Sequence, residues 1–250
     1  QNYMDIKSVL LDALKHTNGL GIIHNIKVTG TDSSTELAAM DPDKTVIMTA
    51  SLHAPVSEFE GEFGMGSLGL LSSLMRLSNY QDANATIEVV REERNGAEMP
   101  ATLIFKDTEG GKDQYRFMTG KVVDEAMKVA TFRGASYQVT IEPAQRRVAQ
   151  LAEVAGIYSG VEPAFSVKTE DGKLIFEVGS TEGGVIGRRV FADNVDGELT
   201  TTWRWPLSQF LNILKLGGTQ IVRFSDQGAC EIQVDSGLGV YTYIMPATNG

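Results

Sequence analysis

Apolar residues recur at helical spacing in only four stretches of the 250-residue chain, about residues 5–16, 67–79, 143–155 and 206–216. In the first, Ile6, Val9, Leu10, Ala13 and Leu14 share one stripe, Lys15 projects opposite it and Lys7 lies at its flank. The second groups Leu68, Leu71, Leu74 and Met75 and presents Ser73 and Arg76. The third groups Val148, Leu151, Ala152 and Ala155, with Arg146 opposite the stripe and Arg147 to one side. Pro143 suits its first helical position, where a missing N–H costs nothing. The fourth groups Leu207, Phe210, Leu211 and Leu214 and presents Gln209 and Asn212, with Lys215 at its edge.

Elsewhere the pattern is that of strands. Runs rich in Val, Ile, Thr and aromatic residues lie between turn signals such as Asn95-Gly96, Asp171-Gly172, Asp196-Gly197 and Gly217-Gly218. They predict strands near 20–28, 33–40, 45–52, 85–92, 101–107 and 113–119 in the first half. The second half gives 163–168, 173–179, 186–193, 198–204, 219–224, 229–235 and 239–245. The order helix, strands, helix, strands occurs twice, which implies a mainly antiparallel α+β fold duplicated at a period of about 120 residues. Two domains are expected, 1–120 and 137–250, joined by a partly helical connector at 121–136.

Charge changes this picture. The formal net charge is −10, which excludes a protein that coats nucleic acid with its whole surface but not one with a single basic face. The four helical spans hold six Lys or Arg against three acids (Asp5, Asp12 and Glu153), leaving sixteen basic and twenty-nine acidic residues elsewhere. Lys and Arg are good helix formers on any solvated face, so the excess alone does not define a site. Cys230, the only cysteine, lies in an alternating stretch and reads as a small buried hydrophobe. A disulfide framework and a cysteine metal site are therefore excluded, and no apolar run nears the roughly 18 residues of a membrane span.

Candidate chemistry is sparse. Gly64-Met65-Gly66-Ser67-Leu68-Gly69 matches the G-x-G-x-x-G of dinucleotide-binding loops. That motif requires a buried strand before it, whereas Glu58, Glu60 and Glu62 precede this one, and no strand is predicted there. The glycines read instead as a sharp, closely packed entry to the second helix. His16, His24 and His53 have no metal-ligand spacing, and His16 suits a cation at the end of the first helix. No nucleophile, Walker or zincin motif occurs, so no catalytic residue, metal or cofactor is expected.

With these features the chain resembles the DNA polymerase sliding clamps, in particular the trimeric clamps of T-even-like bacteriophages. The local matches are "GSLGLLSSLMRLSNYQDANATIEV" and "AQRRVAQLAEVAGIYSGVEPAFSVKTEDGKLIFEV". The ending "YTYIMPAT" is similar to the terminal strand of the eukaryotic clamp, proliferating cell nuclear antigen (PCNA). The resemblance implies a homotrimeric ring with sheets outside and paired helices lining the hole. It further implies a non-enzymatic processivity factor in the cytoplasm of an infected bacterial host, with duplex DNA, a DNA polymerase and a clamp loader as partners and no membrane. Lys7, Lys15, Arg76, Arg146, Arg147 and Lys215 would face DNA phosphates without reading bases. Edge strands at 113–119 and 186–192 would pair between subunits, with Phe117, Met118, Val190 and Phe191 as apolar contacts. A partner peptide would enter a pocket of Val122, Val123, Phe132, Tyr243, Ile244, Met245 and Pro246. The connector lacks the proline-rich character of the phage relatives. A β-rich, acidic structural or adaptor protein of a virion is the alternative.

Overall fold

The computed structural model describes residues 4–128 and 132–248. Contacts divide the chain into two units, Gln1–Thr131 with Ser236–Tyr241, and Phe132–Asp235 with Thr242–Gly250.

Unit 1 contains the helices α1 (Ile6–Lys15), α2 (Leu68–Arg76) and α3 (Gly120–Met127). Its strands are β1 (Ile26–Gly30), β2 (Thr35–Met40), β3 (Ile47–Leu52), β4 (Gly61–Met65), β5 (Thr86–Arg94), β6 (Ala97–Lys106), β7 (Lys112–Arg116) and β8 (Met118–Thr119). They run in the orders β8-β4-β1-β2-β3 and β5-β6-β7, with antiparallel pairings throughout. The Asp5 carboxylate starts α1 by accepting the Ser8 N–H at 3.2 Å. Asn95-Gly96 closes the β5–β6 hairpin with both residues at positive φ, as a two-residue turn matched to strand twist requires.

Unit 2 repeats the plan. Strand β9 (Val139–Ile141) precedes α4 (Gln145–Tyr158), and β10 (Ala164–Glu170), β11 (Lys173–Ser180), β12 (Val185–Ala192) and β13 (Arg204–Pro206) follow. Helix α5 (Leu207–Leu214) then leads to β14 (Thr219–Ser225), β15 (Ala229–Asp235) and β16 (Gly239–Pro246), most of which lies in this unit. The orders are β12-β11-β10-β13 and β16-β15-β14-β9. Phe165, Phe176, Phe191, Trp205, Phe210 and Phe224 form one aromatic core, with ring centroids as close as 4.4 Å between Phe176 and Phe191.

The duplicated α+β architecture is the one the periodicity implies, with local differences. The strand expected at 20–28 starts only at Ile26, because Asn18–Leu20 forms a 3₁₀ turn. The strand expected at 198–204 shrinks to β13, since the Thr200 and Thr201 N–H groups bond the Asp226 carboxylate at 2.8 and 3.0 Å instead of a neighbouring strand. Pro143 lies outside α4, whose N-cap is Ala144.

A strand does precede the G-x-G-x-x-G sequence: β4, antiparallel to both β1 and β8. A dinucleotide fold needs a parallel strand there, so that reading fails on topology. The glycine requirement has another origin. Helix α3 packs on β4, and a Cβ on Gly64 would stand 2.4 Å from the Val123 Cβ. Val123 is fully buried, so it has nowhere to go. Gly64→Ala is expected to cost about 1–3 kcal/mol by overpacking, recovered in large part by adding Val123→Ala; denaturant unfolding of the single and double variants measures it.

His16 is buried and neutral, not the expected helix-end cation. Its ring stacks on Tyr241 with centroids 4.1 Å apart, and Nδ1 donates to the Asp12 carbonyl at 2.7 Å. Burial is the main cause that holds its pKa below 6.5. The Asp12 carboxylate accepts from Ser236 Oγ and Tyr241 Oη, both at 2.8 Å, and so fixes the 236–241 segment to α1 within unit 1. A base with a depressed folded pKa contributes stability above its unfolded value and loses it below. Unfolding free energy is therefore expected to fall as pH drops through 6.5 toward the lowered folded value. His16→Phe should remove that component; identical pH profiles for the two proteins below 6.5 would refute it.

Candidate nucleic-acid interface and docking edges

In unit 1, α1 and α2 pack together and bury Val9, Leu10, Ala13 and Leu14 with Leu68, Leu71 and Met75. Among their cations, Lys15 and Arg76 are exposed on the helix backs. Lys7 is half-buried, its Nζ 3.4 Å from the Tyr80 carbonyl. In unit 2, α4 and α5 pack likewise and leave Arg146 and Lys215 exposed. Arg147 is half-buried and bonds Asp193 at 3.1 Å, a partner that sequence reasoning had no means to assign across 46 positions. Each of the four helices thus presents one exposed cation. Glu153 is an exposed acid on α4, and Leu11, Leu70 and Ile157 are exposed apolar residues on the same helices. Exposed cations of this kind suit contact with phosphates, which positions a protein on nucleic acid without carrying sequence information.

The edge strands are where pairing could extend. β7 and β12 each lie at the end of their sheets. Phe117 and Phe191, however, are 1% and 3% exposed and serve the two cores, which corrects their assignment to an interface. Phe117 packs against Phe59, Phe63 and Tyr115. Phe191 continues the face of Gly187 and Arg189, which pair with the buried Val178 and Phe176, and its ring stacks on Phe176. Met118 and Val190 are half-buried, and the outward apolar residues of β12 are Val185 and Ile186.

The pocket residues divide similarly. Val122 is exposed in unit 1, but Val123 is core. In unit 2, Phe132 and Pro246 are exposed, while Tyr243, Ile244 and Met245 are buried. The Met245 carbonyl accepts from Trp205 Nε1 at 2.9 Å. Tyr243 and Met245 therefore pack the interior and do not offer an open aromatic surface. Residues 129–131 of the expected connector lie outside the described residues.

Other chemistry has little to build on. Among the described residues no cluster of His, Cys, Asp and Glu could hold a metal, and no helix is long and apolar enough to cross a membrane. Cys230 is fully buried, which pushes its thiol pKa well up and leaves it unreactive.

No protein-family profile and no curated protein sequence matches the chain. Solved structures do. PCNA from A. fulgidus, bound to the C-terminal region of FEN-1, superposes with a TM-score of 0.70 at 8% identity, covering 98% of this chain and 96% of that one. PCNA from Thermococcus kodakaraensis gives 0.70 at 11% identity, covering 98% of both chains. The PCNA2–PCNA3 complex from Sulfolobus tokodaii gives 0.66 at 12% identity, covering 98% and 97%. The fold is that of the PCNA sliding clamps. These structural neighbours are PCNA chains, and the T-even type rests on the sequence resemblance alone.

The burial pattern makes a direct test of core against edge. Phe117→Ala and Phe191→Ala are each expected to cost about 3–5 kcal/mol in unfolding free energy. Ile186→Ser, at a 61% exposed position, should stay within about 0.5 kcal/mol. Denaturant unfolding of the three variants distinguishes them.

Proposed function

We propose that the chain is a DNA sliding clamp, a non-enzymatic ring that encircles duplex DNA and tethers a polymerase to it. The observation that carries this reading is one exposed cation on each of four helices, Lys15, Arg76, Arg146 and Lys215, in a chain of net charge −10 with the PCNA fold. An acidic protein with a locally basic helical surface holds DNA at that surface and repels it elsewhere. Residues 1–120 and 137–250 serve as the two clamp repeats, with 121–136 as the connector. Three copies close the ring through β7 of one and β12 of the next, with Met118 and Val190 beside the joint. Lys7 and Arg147 are the secondary phosphate contacts, each needing first to leave its own partner.

A partner peptide docks on unit 2 at what the C-terminal strand leaves exposed, with Phe132 and Pro246 as its apolar contacts. A. fulgidus PCNA, which has this fold, is bound by the C-terminal region of FEN-1, and that supports capture of a partner segment as a reading. Polymerase tethering by a loader-assembled trimer during phage replication in the bacterial cytoplasm is the finer form of this reading.

The test joins native mass with retention on DNA. A species near three times 27.1 kDa that stays on circular but runs off linear duplex is the expected result. A monomer at all concentrations that shows no preference for circular DNA overturns it. Replacing Lys15, Arg76, Arg146 and Lys215 by Ala should lower the slope of log affinity against log salt by about 0.9 for each phosphate no longer neutralised, with the unfolding midpoint unchanged.

A further inference from the structure

Neighbouring arginines on β12 face opposite ways. Arg188 pairs with Glu177 of β11 on the face away from the core, where its guanidinium meets Glu170 at 2.8 Å. Arg189 pairs with the buried Phe176 and shares the face of Gly187 and Phe191, the side on which α4 packs. Helix α4 runs along this face. Arg147 near its start bonds Asp193, just beyond β12, at 3.1 Å. Tyr158 at its end lies over the strand, so that a Cβ on Gly187 would stand 2.9 Å from its ring. Arg189 stands between those two positions, on the last strand of its sheet.

The fold does not require a charge there. In unit 1 the third strand after the first helix is β3, whose residues Met48, Ala50 and Leu52 are all buried. Arg189 instead is exposed, and its Nη1 donates to the Arg188 carbonyl at 2.7 Å. Among the described residues it forms no ion pair, and the residues outside them include no Asp or Glu to supply one. Its neighbours are neutralised, Arg188 by Glu170 and Arg147 by Asp193. On the helix side of unit 2, Arg189 therefore joins the exposed Arg146 and Lys215 as a third available cation, and it comes from the sheet.

We propose that Arg189 is a phosphate contact carried by β12, extending the basic surface of α4 and α5 to the edge of the sheet. The inference rests on the clamp reading and deepens it, by adding a strand residue to the helix backs that hold DNA. The forked guanidinium matches a phosphate, and a charged acceptor is a stronger partner than the backbone carbonyl it now uses. Like the helix cations, it adds affinity without sequence preference.

The test follows the anisotropy of a short fluorescein-labelled duplex with the full chain over a salt series. Arg189→Ala should lower the slope of log affinity against log salt by about 0.9, the share of one phosphate, and Arg189→Lys should restore it. Arg188→Ala should leave the slope unchanged, because Glu170 holds that charge on the opposite face. A photo-crosslinker attached to Arg189→Cys should label the duplex, and one attached to Arg188→Cys should not; the buried Cys230 takes no label. An unchanged slope in Arg189→Ala, where the variant lacking Lys15, Arg76, Arg146 and Lys215 does lose slope, overturns this inference and leaves the clamp reading standing. A chain that binds no duplex even at low salt overturns both. An inward-pointing charge can also guard an open edge against pairing. Self-association of Arg189→Ala with the slope unchanged would assign that role and overturn the phosphate contact. Equal loss of slope in Arg188→Ala and Arg189→Ala overturns it too, since only overall charge would then be at work.

Discussion

Burying one side of each antiparallel sheet array under a pair of amphipathic helices is the constraint from which the outward chemistry of both units follows. In unit 1 the apolar stripes of α1 and α2 are consumed by that contact, and in unit 2 those of α4 and α5. The solvent side of these helices carries Lys15, Arg76, Arg146 and Lys215 together with the exposed apolar Leu11, Leu70 and Ile157. Their exposure is a by-product of packing geometry, because a residue opposite the stripe cannot reach the core. Cations at the flank meet a different environment. Lys7 and Arg147 border the buried stripe, and each finds an internal acceptor, the Tyr80 carbonyl for one and Asp193 for the other. Lys7 and Arg147 are half-buried at the flank, whereas Arg76 stays exposed and donates from Nε to the Ser72 carbonyl of its own helix at 3.3 Å.

The Asp12 carboxylate shows how a polar group can organise an element from beneath. It sits on α1 yet receives Ser236 and Tyr241, so a segment more than two hundred positions away completes unit 1. The neutral His16 ring stacked on Tyr241 fills the space beside it. Burying a neutral imidazole costs less than burying a cation, and this decides its protonation against the pull of the helix C-terminus.

Element types were legible in the sequence wherever periodicity was long. All four amphipathic helices form within a few residues of their expected limits, and the Asn95-Gly96 hairpin closes where the dipeptide stands. Short elements were not legible. β9 has three residues, too few for alternation to register, and the two residues of β8 were read as the end of the strand at 113–119. β4 was hidden because its sequence, Gly-Glu-Phe-Gly-Met, looks like a loop; its Gly64 answers to Val123 of α3, which lies 59 positions further along the chain, and its Gly61 to Met99. Site residues fared by the same logic. Helix cations follow from a single stripe and were placed by it. Phe117, Phe191, Tyr243 and Met245 were assigned outward by analogy, and packing took them inward. Phe191 shares a face with Gly187 and Arg189, which pair with the buried Val178 and Phe176, a register that residues 185–192 alone do not encode.

Strand edges carry the remaining information about association. An unpaired edge invites pairing with any extended chain unless it is covered or charged. Here β4 and β14 are covered, by β8 and β9. β7 and β12 are open and carry Lys112, Arg116, Arg188 and Arg189, a like-charged pair of strands that should repel one another. Two of those cations are compensated from within their own sheets, Arg116 by Glu92 at 3.8 Å and Arg188 by Glu170 at 2.8 Å. The Arg188 pair holds the Glu170 carboxyl below its usual pKa, so the compensation persists as pH falls. The local charge on each edge is therefore smaller than its count of cations, as the proposed pairing of β7 with β12 of another copy requires. β5 has the opposite bias, with three exposed glutamates along its length. Edges of unlike charge on one molecule favour unlike partners.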